Sequence, residues 1–114
     1  MIGIMQGRLS PMVGKKIQAF PKKHWKAEFF TAQALGFELI EWTLDRHDLL
    51  DNPLFLHYEL IETLADISGV KVKSITYDAA MQAPLVVNGE IQKVEVELLI
   101  KVLFACKRLK IKYL

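Results

Sequence analysis

The length, composition and charge of the chain restrict its class before any motif is considered. With 114 residues, 52% of them hydrophobic, the chain is long enough for one domain with a sizeable core and too short for two. Its net charge of +2, from 15 basic and 13 acidic side chains, does not indicate a nucleic-acid-binding protein. The longest nearly apolar run, Leu98 to Cys106, is about half of a membrane span. Cys106 is the only cysteine, so no intrachain disulfide can form, and we expect a cytoplasmic protein.

A unit of strand, loop and amphipathic helix recurs along the chain. Strands are predicted at about residues 2–5, 37–42 and 70–77, with the start of a fourth at 111–114. Helices are predicted at about residues 22–35, 53–68 and 90–108. Gly36 and Gly69 end the first two helices, Asn52-Pro53 begins the second, and Asn88-Gly89 forms a turn in the loop before the third.

Consecutive βα units of this kind build a parallel sheet, either closed as a barrel or open and doubly wound. The open dinucleotide-binding fold requires a tight glycine-rich turn directly after its first strand. Here Gly3, Gly7 and Gly14 are too widely spaced for such a turn. The sequence therefore predicts an α/β fold that is part of a TIM (β/α)8 barrel, with three βα units and the start of a fourth strand.

In a parallel barrel, functional residues gather where the strands end and the loops begin. These positions hold Gln6 and Arg8 after the first strand, Glu41 near the end of the second and Asp78 after the third. The alternation of a strand predicts that Ile40 and Trp42 pack on helices, with Glu41 directed to the barrel mouth. In the third strand, Val72, Ser74 and Thr76 are predicted to share the inward side with Asp78.

Two interpretations of these mouth residues stay open. Arg8 could hold a phosphate or carboxylate with its planar guanidinium, or Arg8 and Glu41 could form a salt bridge that only neutralises the mouth. His47 with Asp45 or Asp48 could bind a cation, although a solvated loop is the more common explanation. No two histidines have metal-ligand spacing, and we predict no metal site in this chain.

The opening of the chain, together with scattered later segments, resembles a known family. Residues 2–11, Ile-Gly-Ile-Met-Gln-Gly-Arg-Leu-Ser-Pro, are similar to the start of the xylose isomerase-like TIM barrels, the sugar phosphate isomerase/epimerase family and relatives of endonuclease IV. The similarity continues through residues 17–21, Trp25, 35–37, 40–42, 52–54 and 81–85. Residues 1–114 thus resemble the N-terminal portion of a barrel that typically has about 250 residues.

This resemblance implies isomerisation or epimerisation of a sugar or sugar phosphate, assisted by a divalent cation, Mn²⁺ or Mg²⁺. In the family, the metal ligands and the acid–base glutamates lie on later strands, so we expect the isolated chain to be inactive. Gln6, Arg8, Glu41 and Asp78 are then substrate-binding residues. The endonuclease relatives have a metal-binding histidine near the end of the third strand, where this chain has Tyr77-Asp78, which disfavours DNA repair.

Two other functions remain open from the sequence. The chain could be a shortened, non-catalytic protein that assembles with itself or with a second chain, or a gene fragment without a function of its own. Self-association is expected because strands at the two sheet edges lack a neighbour, and because Leu99, Leu103 and Phe104 widen the apolar surface of the last helix.

Overall fold

The structure, a computed structural model that describes residues 1–12 and 19–114, is an α/β fold built on a parallel three-stranded sheet. The strands are β1 (Gly3–Met5), β2 (Leu39–Leu44) and β3 (Lys71–Tyr77), in the order β1-β2-β3. The helices are α1 (Trp25–Ala34), α2 (Pro53–Leu56), α3 (Tyr58–Ser68), α4 (Ala79–Gln82) and α5 (Lys93–Arg108), with a 3-10 helix at Leu49–Asp51. Gly14 and Ile17-Gln18 of the first predicted loop lie outside the described residues.

The hydrophobic core lies between one face of the sheet and the helices α1, α3 and α5. Strand alternation places Ile40, Trp42 and Leu44 on this face, and all three are buried. The indole of Trp42 lies among the rings of Phe20, Trp25 and Phe29, at centroid distances of 5.7, 5.8 and 6.4 Å. The same core cluster contains Ile61 and Leu64 of α3 and Leu98 and Val102 of α5.

The second predicted helix is two helices in the structure. The Asn52 side chain accepts a hydrogen bond from the Leu54 N–H at 2.9 Å and so caps α2, as Asn52-Pro53 predicts. His57, with φ −138°, interrupts the helical path between α2 and α3. Gly69 ends α3 in the left-handed conformation, with φ 74°.

A register shift in β3 corrects the predicted alternation of this strand. Ile40 pairs with Val72, but the next residue, Glu41, pairs with Ser74, so Lys73 is an extra residue in β3. Val72 therefore lies on the helix side and packs against the core, contrary to the prediction. Ser74 and Thr76 lie on the opposite face, as predicted.

The loop before α5 contains a hairpin that the sequence did not predict. Strands β4 (Val86–Val87) and β5 (Glu90–Ile91) pair in antiparallel fashion around Asn88-Gly89. Both turn residues have positive φ, 50° and 78°, which is the conformation of a type I′ turn. As a result α5 begins at Lys93 rather than near residue 90.

The predicted fourth strand is reduced to a single parallel bridge between Ser74 and Tyr113. The Lys112 and Tyr113 N–H groups donate to the Lys73 carbonyl at 2.9 and 3.2 Å, and the Ile75 N–H donates to the Tyr113 carbonyl at 2.9 Å. The C-terminal segment therefore lies beside β3 and partly covers this edge of the sheet.

We predict that Asn52→Ala destabilises the fold by about 2–4 kcal/mol. Asn52 Oδ1 accepts hydrogen bonds from the Trp42 Nε1–H and from the Leu54 N–H, both at 2.9 Å, so the change removes a cap and leaves a buried indole N–H without a partner. Chemical denaturation followed by tryptophan fluorescence measures the loss. Thr31→Ala, which removes an exposed hydroxyl bonded to Ala27, is the control and should change stability by less than about 0.5 kcal/mol. Equal stability of the two variants would contradict the prediction.

Candidate functional site

The sheet face opposite the helices forms the candidate site. Glu41 lies on this face because the side chains of β2 alternate, with Ile40 and Trp42 on the helix side. It lines a pocket of about 240 Å³ together with Gly3, Ile4, Met5, Leu39 and Ser74. The predicted orientation of Glu41 toward the open face is therefore observed. Its predicted place near the end of the strand is wrong, because β2 continues beyond it to Leu44. Its contact with a substrate stays a prediction.

One hydrogen bond from the neighbouring strand fixes the Glu41 carboxylate. Thr76 Oγ1 on β3 donates to Glu41 Oε2 at 2.8 Å, and Glu41 Oε1 has no partner among the described residues. Arg8 is exposed, and in the described part of the chain no ion pair joins it to Glu41. The salt-bridge interpretation of the mouth is therefore wrong, and both charged groups remain open to other partners.

Gln6 is buried, and the sheet uses most of its polar atoms. Its N–H donates to the Glu41 carbonyl at 2.9 Å, which extends the pairing of β1 with β2. Gly7 then turns the chain away with φ +95°, and Gln6 Oε1 accepts from the Thr43 N–H at 3.0 Å. Gln6 Nε2 is buried without a partner in the described part of the chain. The two N–H donors of Nε2 are therefore unsatisfied but closed to solvent.

Two carboxylates, Asp45 and Asp78, follow the carboxyl ends of the neighbouring strands β2 and β3. Leu44 pairs with Tyr77, so Asp45 and Asp78, which follow them, leave the sheet at the same level. Burial raises the pKa of the Asp78 carboxyl, and the charges of Asp45 and Glu41 raise it further. The Asp78 side chain makes no capping hydrogen bond to α4. Among the described residues, this carboxylate has no hydrogen-bond or ion-pair partner.

Glu28 is a buried carboxylate that sequence reasoning missed. From α1 it accepts hydrogen bonds from the Gly7 N–H at 3.0 and 2.9 Å and from the Leu9 N–H at 3.1 Å. Backbone N–H groups of such a loop are a common binding site for anions, and here the chain's own carboxylate fills it. The signal in the sequence was a charged residue on the apolar helix face of Trp25 and Phe29.

A second cleft, of about 1020 Å³, contains the predicted histidine cluster. His47 Nε2 lies 3.1 Å from Asp48 Oδ2, and Lys22 Nζ lies 2.8 Å from the same oxygen. The hydrogen bond from Lys22 lowers the pKa of the Asp48 carboxyl, and the His47 charge adds to this effect. The ammonium group of Lys22 is thus the cation at Asp48, and Asp45 instead accepts from the Phe20 N–H at 2.9 Å.

The described residues do not fit the divalent cation that the family resemblance implies. Within residues 1–12 and 19–114, no group of three or more His, Cys, Asp or Glu side chains is arranged to hold a metal ion.

None of the helices in the described part of the chain is long and apolar enough to cross a bilayer. No protein-family model matches the chain, and no curated protein matches it either.

We predict that Asp78→Asn makes the protein more stable at pH 7. The folded-state pKa lies above the ordinary value of 3.8, so stability falls as the pH rises through the interval between them. The variant should gain at most about 1 kcal/mol, because the carboxyl is partly open to solvent, and the gain should vanish below the unfolded-state pKa.

Urea denaturation at several pH values between about 3 and 7 measures this difference. Asp66→Asn, on the exposed side of α3, is the matched control and should change stability by less than about 0.5 kcal/mol throughout. A loss of stability in Asp78→Asn at pH 7 would show instead that the carboxylate supports the fold.

Proposed function

We propose that the chain is the N-terminal portion of a TIM barrel similar to the xylose isomerase-like sugar phosphate isomerases and epimerases. The sequential strand order β1-β2-β3 supports this, as does the packing of α1, α3 and α5 on one face of the sheet. The C-terminal segment follows beside β3, where the fourth strand of a barrel belongs. In a doubly wound sheet of the dinucleotide-binding type, the fourth strand lies beside the first.

The observation that carries the proposed site is the pair of partly unpaired carboxylates, Glu41 within β2 and Asp78 directly after β3. Carboxylates accept strong hydrogen bonds from hydroxyl groups, which a sugar offers in number. The Thr76 hydroxyl fixes one oxygen of Glu41 and leaves the other for the ligand. Gln6 Nε2, which is buried without a described partner, carries two further N–H donors, and a sugar oxygen would reach them only by entering beside this side chain.

The anionic group and the hydroxyl groups of the substrate are expected to contact different residues. Because Glu28 occupies the N–H groups of Gly7 and Leu9, the loop after β1 is not available to a phosphate. Arg8, exposed on this loop, is the side chain that we expect to contact an anionic group. We therefore assign the hydroxyl groups of the sugar to Glu41 and Asp78, and no catalytic proton transfer to this chain.

We predict that neutral ketoses bind the chain weakly and perturb the amide resonances of β2 and β3 in NMR titrations. Glu41→Gln replaces a charge-assisted acceptor by a neutral one and should weaken binding by about tenfold, which corresponds to about 1.4 kcal/mol. Glu38→Gln is the matched control, since Glu38 is exposed three residues earlier and should not alter the affinity. Shifts that are scattered over the surface, or equal affinity of both variants, would count against the proposed site.

We further predict that the isolated chain catalyses no ketose isomerisation or epimerisation and binds Mn²⁺ or Mg²⁺ only weakly. Stable binding of such cations requires several clustered oxygen ligands, and the described residues offer no such cluster. Calorimetric metal titration and a coupled assay over a panel of ketoses test this. Micromolar metal affinity together with turnover would contradict it.

A further inference from the structure

The outward side of α5 is apolar, although none of the described residues covers it. Ile100, Leu103 and Phe104 are exposed to 46%, 48% and 69%. Ile100 and Phe104 each lie two residues from the fully buried Val102, which places them about 160° around the helix from it. The helix α5 is therefore apolar on two opposite sides, and only one of them belongs to the core.

A closed barrel does not explain this second apolar side. Barrel helices form a ring around the sheet, so the neighbours of a helix lie at its flanks. Ile100 and Phe104 point away from the sheet, because they lie opposite the side of α5 that packs in the core. Further βα units would leave these two side chains exposed, and their burial requires a second molecule.

The charged residues beside this apolar surface indicate that its partner is a second copy of the chain. Glu97, Ile100, Phe104 and Lys107 are spaced by three, four and three residues, the spacing of a coiled-coil seam. Read in the opposite direction, the same seam presents a base, an aromatic ring, an aliphatic side chain and an acid. An antiparallel copy thus places the partner's Phe104 against Ile100 and the partner's Lys107 against Glu97.

We propose that two copies of this chain associate through α5, packed antiparallel about a two-fold axis near the level of Val102. The contact is isologous, so each of the two layers, Ile100 with Phe104 and Glu97 with Lys107, occurs twice. Leu103 lies beside the seam and widens its apolar part. This proposal does not depend on the proposed sugar site, which lies on the opposite side of the sheet from the helices.

The size of the seam sets the expected affinity. The 16 residues of α5 span about 24 Å, and each copy contributes three exposed apolar side chains. Such a contact lies at the small end of specific interfaces, below about 1,200 Å² in total. The dimer should therefore dissociate on dilution within the range of about 10 µM to 1 mM.

Sedimentation equilibrium of the full chain, with reductant present to keep Cys106 reduced, tests the proposal. Glu97→Lys alone and Lys107→Glu alone each place like charges together at both ends of the seam, and each should weaken the dimer by about tenfold or more. An equimolar mixture of the two variants pairs opposite charges at both ends and should restore the original affinity. Glu62→Lys, an exposed charge reversal on α3, is the control and should leave the affinity unchanged.

Leu103→Lys should weaken the dimer as well, and because Leu103 is half-exposed the variant should keep its cooperative unfolding transition. Three results would overturn the proposal. The first is that the chain remains a monomer at 1 mM. The second is a dimer whose affinity the seam variants do not change, as expected for association through sheet edges. The third is that the equimolar mixture of the two charge-reversal variants does not recover the original affinity.

Discussion

The structure depends on the burial of one side chain, the indole of Trp42. Its ring is enclosed by Phe20 from the loop and by Trp25 and Phe29 from α1, and its Nε1–H donates to Asn52, which also caps α2. The indole thus joins β2 to two successive helical segments. Because side chains alternate along a strand, burying Trp42 places Glu41 on the opposite face. The core and the candidate site are two consequences of the same alternation.

The loop after β1 shows how the fold uses polar groups for its own needs. Gly7 turns the chain after only three residues of strand. The N–H groups of Gly7 and Leu9 in the loop, and that of Thr43 on β2, are therefore left without main-chain partners. The Glu28 carboxylate accepts hydrogen bonds from the two loop N–H groups, and the Gln6 side-chain oxygen accepts from the third. Unpaired buried groups of this kind cost about 1–3 kcal/mol each, so both side chains have a structural reason to be where they are.

Local patterns predicted the elements, and contacts between distant residues decided the details. The period of two in β2 predicted the sides of Ile40, Glu41 and Trp42, because it is a property of a single strand. The side of Val72 was wrong because the extra residue, Lys73, arises from the register between β2 and β3. Glu28 was missed for a similar reason, since its partner Gly7 lies 21 residues earlier in the chain. The sequence contains no short-range signal for the register shift, and the charge on the apolar face of α1 indicates that Glu28 is buried but not which groups it binds.

The candidate site follows from asking which polar groups the fold leaves without partners. Asp48 is paired with Lys22, Arg46 with Glu95, and Glu28 with the loop, so none of them is open to a ligand. Among the described residues, Glu41, Asp45 and Asp78 remain only partly satisfied, and the raised pKa of Asp78 indicates that the folded state accommodates its charge poorly. Carboxylates held in this way contribute little to folding, and the position of Asp78 directly after β3 favours a role in binding. The exposed apolar side chains of the α5 seam likewise do not stabilise the folded monomer. For the same reason, their presence on the other side of the molecule favours a role in binding.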